Sequence, residues 1–246
     1  MAFFGIICLR GMLMFIKKVT NYFDNWNNFE KCFLVVGLII TIFTSIIFNG
    51  SVINTLYAIF YFITCLLIAK GKVECFYFGI ISAILYIFIS CGQGYYGELI
   101  ITLFSTFPAL IVGFISWIKH IDNENVIVVN TLSKKEILIS ILSQIILFWI
   151  YYYILKSINT SELFISSLSI MFSFLGVYYG IRRCKLSMYC FVIDDLVAIC
   201  MWFIPLINGQ IGLFSVFICQ ILLLISDIYG VYNWEIIKQR QKGKKQ

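Results

Sequence analysis

The sequence predicts an all-α integral membrane protein with eight transmembrane helices. Three observations carry that prediction. Of 246 residues, 61% are hydrophobic and only 12% charged, about half the charge that covers an ordinary soluble domain. The apolar residues fall into eight runs of sixteen to twenty-four residues, each ended by polar ones, near the length of roughly 20 that a helix needs to cross a bilayer. Seventeen of the eighteen Lys and Arg residues lie between alternate runs.

The runs are 33–48, 52–69, 75–91, 98–117, 137–155, 163–181, 186–207 and 211–234. The opening stretch has no basic region before its apolar part, is interrupted by Arg10 and lacks a small-residue cleavage site, unlike a signal peptide. With Phe15, Tyr22, Phe23, Trp26 and Phe29 behind it, residues 1–31 read as an amphipathic lead-in on the membrane surface. One extra N-terminal helix (32–48) follows. The remainder divides into a first three-helix unit (51–119), a loop with a linking helix (120–156), a second three-helix unit (162–234) and a basic tail (235–246).

Charge gives the orientation. The segments 1–32, 70–74, 118–136, 182–185 and the tail hold every Lys and Arg except Lys156. An even number of crossings with both termini in the cytoplasm satisfies the positive-inside bias. The tail Lys238-Gln239-Arg240-Gln241-Lys242-Gly243-Lys244-Lys245-Gln246 suits an anionic lipid leaflet rather than nucleic acid.

The two three-helix units resemble each other. The fourth span closes with Gly113 and Trp117, the eighth with Gly230 and Trp234, each pair one helical turn apart. The span before each also compares, with Phe78–Ser82 opposite Phe191–Asp195. Four crossings separate the copies, so they run the same way through the bilayer: a parallel repeat of three, one and three helices.

Three carboxylates interrupt the apolar spans. Asp194 and Asp195 lie about nine residues into the seventh span and Asp227 lies seven residues before Trp234, which puts all three roughly 10–15 Å deep. No Lys, Arg or His lies at that depth. Such residues are costly in hydrocarbon and mark function. Hydrogen bonds to neighbouring helices, protonation or a cationic substrate are the three available compensations. Successive side chains on a helix point about 100° apart, so Asp194 and Asp195 are not expected to share one pocket. Trp202 follows Asp195 by two turns on the same face and suits stacking on a flat heteroaromatic ring. Tyr86 lies one turn beyond Ser82. Thr102 and Thr106 are a turn apart, with hydroxyls suited to a ribose or a pyrimidine. Glu98 marks the outer mouth as a gate, and Pro108 is placed to kink the fourth helix.

Other chemistry is missing. The sequence has no phosphate-binding loop, no Ser/His/Asp set and one histidine, His120, so neither an enzyme, a resident metal nor a cofactor is expected. The nine cysteines include no CxxC pair.

Several stretches closely resemble the PnuC family of bacterial B-vitamin transporters, whose best-known substrate is nicotinamide riboside. They are Asn21–Trp26 followed by Phe29-Glu30-Lys31, Ala69–Lys72, Tyr96-Gly97-Glu98, Phe107-Pro108 with Gly113–Trp117, Asp194-Asp195 and Gly230–Trp234. The resemblance runs from about residue 20 to the tail. It implies a SWEET-like fold, a homotrimer, and facilitated diffusion of a small vitamin or nucleoside that a cytoplasmic kinase then traps. Members that carry nicotinamide riboside have Asn at the positions of Ser82 and Thr102, Gln at that of Leu110, and in many cases Asn at that of Asp195. The alignment with that amide makes Asp195 the residue expected to face substrate, with Asp227 near it and Asp194 in a structural role. Nicotinamide riboside is the expected substrate. Thiamine, riboflavin or a deoxynucleoside, and a proton-coupled mechanism, are the alternatives.

Overall fold

The structure is a computed structural model that describes residue 23 and residues 26–48, 51–93, 102–122, 125–157, 163–209 and 214–243. The chain divides into two units, residues 1–40 and 41–246. Among the described residues every regular element is helical. They are α1 (Asn28–Ile47), α2 (Val52–Ala69), α3 (Cys75–Gln93), α4 (Phe107–Ile118, preceded by a π-helical turn Thr102–Thr106), α5 (Lys134–Ser157), α6 (Leu163–Ile181), α7 (Leu186–Ile207) and α8 (Phe214–Gly243).

In the first unit, α1 starts five residues before the expected span. Asn27 and Glu30 cap it reciprocally: the Glu30 amide donates to Asn27 Oδ1 at 2.8 Å and the Asn27 amide to Glu30 Oε2 at 2.7 Å. Two otherwise unpaired donors are thereby satisfied. Residues 28–31, expected in the surface lead-in, are helix. Residues 1–22 of that lead-in lie outside the described residues.

In the second unit, α2 packs on α3, α3 on α4, α6 on α7, and α7 on α8. The third helix of each trio also packs on the first helix of the other, α4 on α6 and α8 on α2, while α5 lies against α6. α2 begins at Ser51, whose hydroxyl accepts the Asn54 amide at 3.2 Å, a side-chain N-cap. The π-helical turn before Phe107 has its cause in Pro108. A proline in a helix interior lacks an amide donor and its ring presses on the carbonyl four residues back. The wider turn spanning Thr102–Thr106 opens the backbone at that carbonyl.

Among the described residues five helices are long and apolar enough to cross a membrane: α1, α2, α5, α6 and the stretch Phe217–Gly243 of α8. The apolar stretches in α3 and α4 are shorter among the described residues, and α7 carries two aspartates. α5 buries none of its residues. Its Leu138, Ile139, Leu142, Ile146, Trp149 and Tyr153 are all more than half exposed, a surface that suits lipid and not water. α8 runs nine residues past Trp234, so much of the expected tail continues the helix.

The basic end is tied together by bonds that recur. After α2, the Gly71 amide donates to Ile68 O and the Lys72 amide to Leu67 O; after α6, Arg183 donates to Gly180 O and Cys184 to Tyr179 O, 112 positions on in each case. Both turns use a positive φ, +65° at Gly71 and +56° at Arg183. At Gly71 an added Cβ would meet Ile127 at 3.0 Å, so glycine serves both conformation and space. The Trp117 indole donates to Gly180 O at 2.8 Å and the Trp234 indole to Ile68 O at 2.9 Å. Beside them, Ser116 Oγ donates to Ile181 O and Asn233 Nδ2 to Ala69 O. The two indoles meet edge to face, centroids 5.8 Å apart.

The loop before α5 spans both turns: the Ile127 amide donates to Gly71 O at 3.0 Å and the Asn130 amide to Arg183 O at 2.9 Å. Gln241, on the extension of α8, holds that loop through Val129 N and Ile127 O, and Arg240 pairs with Asp122 at 3.1 Å. At the same end Lys185 pairs with Glu235 at 2.6 Å; that hydrogen bond holds the Lys185 ammonium above its usual range.

Candidate substrate site

The deep carboxylates separate as the helical rotation between adjacent residues requires. Asp194 points from α7 toward α6, where Ser169 Oγ donates to its Oδ1 at 2.5 Å. The approach of the two helices is set by Gly176: a Cβ there would sit 2.5 Å from the Phe191 ring. Phe191 lies one turn before Asp194, on the same face. Glycine therefore admits the ring, and the ring's seating brings Ser169 within reach of the carboxylate.

Asp195 points the other way. Its carboxyl lies within electrostatic reach of that of Asp227 on α8. Both residues are buried, 9% and 6% exposed. Asp195 Oδ2 is buried with no hydrogen-bond partner. From α2, Tyr61 and Cys65 lie within electrostatic reach of the pair, and Cys219 of α8 lies within reach of Asp195. Among the described residues, α2, α7 and the part of α8 before Trp234 carry no Lys, Arg or His.

An aromatic stack leads away from the acids. The Tyr61 and Tyr57 rings are nearly parallel (13°) with centroids 5.7 Å apart, and Tyr57 stacks on Tyr86 of α3 at 5.1 Å. Tyr86 thus joins the acids through two tyrosines that the sequence reading did not single out. Their signal was present: Tyr57, Tyr61 and Cys65 recur every four residues along one face of α2.

The other expected residues are placed as follows. Ser82 is buried, and its hydroxyl donates to Gly79 O of its own helix at 2.8 Å. Thr102 is buried in the π-helical turn while Thr106 is exposed at its end, so the two threonines do not present one face. The i to i+5 bonding of that turn changes the angular step that the four-residue spacing assumed. Leu110 packs on α3, where a Cβ on Gly79 would touch its Cδ2 at 3.0 Å. Pro108 stands at the second position of α4. Trp202 belongs to α7, seven residues past Asp195, and its side chain lies outside the described residues, as does Glu98. The recurring turns also pair Ser82 with Asp194, one residue from the expected pairing with Asp195. Among the described residues no group of three or more His, Cys, Asp or Glu is arranged to hold a metal ion.

The family described as "Nicotinamide mononucleotide transporter" matches residues 51–236. Two nicotinamide riboside transporters named PnuC are similar to the chain. That of Neisseria mucosa is 22% identical over 229 residues, covering 90% of this chain and 86% of its own. That of Haemophilus influenzae is 19% identical over 232 residues, covering 93% and 99%. A crystal structure titled as the vitamin B3 transporter PnuC superposes with a TM-score of 0.73 at 20% identity, over 89% of this chain and 95% of that one. At that identity the likeness speaks for the fold.

Proposed function

The chain belongs to the nicotinamide mononucleotide transporter family, the PnuC family of multi-pass membrane transporters, and from that membership we propose that it takes up nicotinamide riboside. Uptake is by facilitated diffusion across a bacterial inner membrane, and phosphorylation by a cytoplasmic kinase traps the product. The observation that carries this reading is the site itself. A carboxyl pair with an unpartnered oxygen lies deep among the helices beside stacked tyrosines, and α2, α7 and the part of α8 before Trp234 carry no Lys, Arg or His. A flat ring with a positive charge answers both features, and nicotinamide riboside is such a molecule.

The proposed architecture has eight crossings with both termini in the cytoplasm. A parallel, SWEET-like repeat, residues 51–119 and 162–234, is joined by the linking helix. The recurring turn bonds and the reciprocal packing of α4 on α6 and of α8 on α2 support it. Rocking of one trio against the other exposes the site alternately. The working unit is a homotrimer in lipid.

Two measurements test this reading. Reporter fusions after Gln246 and within residues 92–97 are expected to report opposite compartments; a shared compartment overturns the topology. Purified protein in vesicles is expected to equilibrate labelled nicotinamide riboside and to accumulate none, with or without a proton gradient. Accumulation above the external concentration under a proton gradient removes facilitated diffusion in favour of proton coupling, for which Asp195 and Asp227 are the available proton carriers.

A further inference from the structure

We propose that the Asp195–Asp227 pair is a charge-reading site that makes this transporter select aromatic monocations over uncharged molecules of the same shape. The inference rests on the transporter reading and adds the property by which the site chooses.

Asp195 is a deeply buried side chain with a carboxylate oxygen that no group satisfies. An unsatisfied buried acceptor of that kind costs free energy in the empty protein and regains it when a ligand brings a donor or a charge. Asp227 fixes the amount of charge. Two buried carboxyls this close do not both ionise, so the pair presents a single negative charge, which one positive charge neutralises. The neighbours fix the kind of cation. Among the described residues the titratable groups near the pair are neutral when protonated or are themselves acids: Tyr61 and Cys65 from α2, Cys219 from α8 and Asp194 from α7. Asp194 is occupied by Ser169. Among the described residues no group of three or more His, Cys, Asp or Glu is placed to hold a metal ion. The tyrosine stack that begins at Tyr61 instead offers ring faces, which hold flat cations.

Nicotinamide riboside and its uncharged dihydro form test the idea, since they share a skeleton and differ in charge. Equilibrium binding to the purified protein is expected to favour the cation at least about tenfold, the range of one hydrogen bond to a charged group. Asp195→Asn and Asp227→Asn, close in size to the originals, are each expected to bring that ratio within about threefold of unity, chiefly through weaker cation binding. Unmodified protein supplies a second measurement. Dicyclohexylcarbodiimide, a hydrophobic reagent for protonated carboxyls, is expected to label Asp195 or Asp227, with protection by the cation and none by the dihydro form.

Equal affinity for the two forms, a preference that survives both substitutions, or equal protection overturns the proposal. Thiamine and deoxyadenosine separate it from the substrate reading. If neither riboside binds while thiamine binds and depends on both aspartates, nicotinamide riboside is the wrong substrate and the charge-reading pair stands. If deoxyadenosine binds tightest, the pair does not read charge.

Discussion

Trp117→Ala and Trp234→Ala each destabilise the protein by about 3–5 kcal/mol, the range for emptying a buried tryptophan site. Both indoles are almost wholly buried, at 2% and 0% exposure, and neither site can collapse easily. A Cβ on Gly113, one turn before Trp117, would meet the Phe76 ring at 2.6 Å, and one on Gly230 would meet Met188 at the same distance. The walls around both rings are already in close contact. Phenylalanine at either position keeps most of the ring and removes the indole donor to Gly180 O or Ile68 O; each carbonyl still accepts the amide of Arg183 or Gly71, so the expected loss is that of one hydrogen bond, about 0.5–1.5 kcal/mol. Because the rings touch, the double alanine variant departs from additivity by about 0.5–1.5 kcal/mol. Thermal unfolding in detergent, read by intrinsic fluorescence for the phenylalanine variants and by circular dichroism for all, measures each value. Phenylalanine variants as stable as the parent would remove the indole hydrogen bonds from the account.

Asp194→Ala is expected to cost about 2–3 kcal/mol of stability while changing the preference for cation over neutral ligand by less than about twofold. The Ser169 hydroxyl loses its acceptor within the α6–α7 contact, and hydrogen bonds to a charged group are worth about twice those between neutral ones. Asp194→Asn keeps an acceptor oxygen in place and is expected to cost about 1 kcal/mol. The same unfolding measurement, paired with the riboside binding comparison, checks both. A stable Asp194→Ala protein that loses its ligand preference would place Asp194 in the substrate site and displace the role given to Asp195.

The sequence by itself determined the class, an all-helical membrane protein. Apolar run lengths and the one-sided distribution of Lys and Arg need no tertiary information, because the bilayer acts on each segment separately. The separation of Asp194 from Asp195 was legible for a similar reason, since the rotation between adjacent residues is a property of the helix alone. Helix ends were less legible. α1 starts early through the local Asn27–Glu30 cap, and α8 continues because Arg240 and Gln241 find partners on a loop more than a hundred residues earlier. Only the tertiary structure decided what faces each acid. Helical periodicity says which residues of one helix share a side, and says nothing of which helix that side meets. Hence Tyr57 and Tyr61 joined the site from α2, Ser82 turned to its own backbone, and Thr106 parted from Thr102 where Pro108 widened the helix. The recurring bonds of the basic end were foreshadowed by two glycines and two tryptophans. Their partners at Ile68 and Gly180 are bare carbonyls, which every residue possesses and no sequence pattern distinguishes.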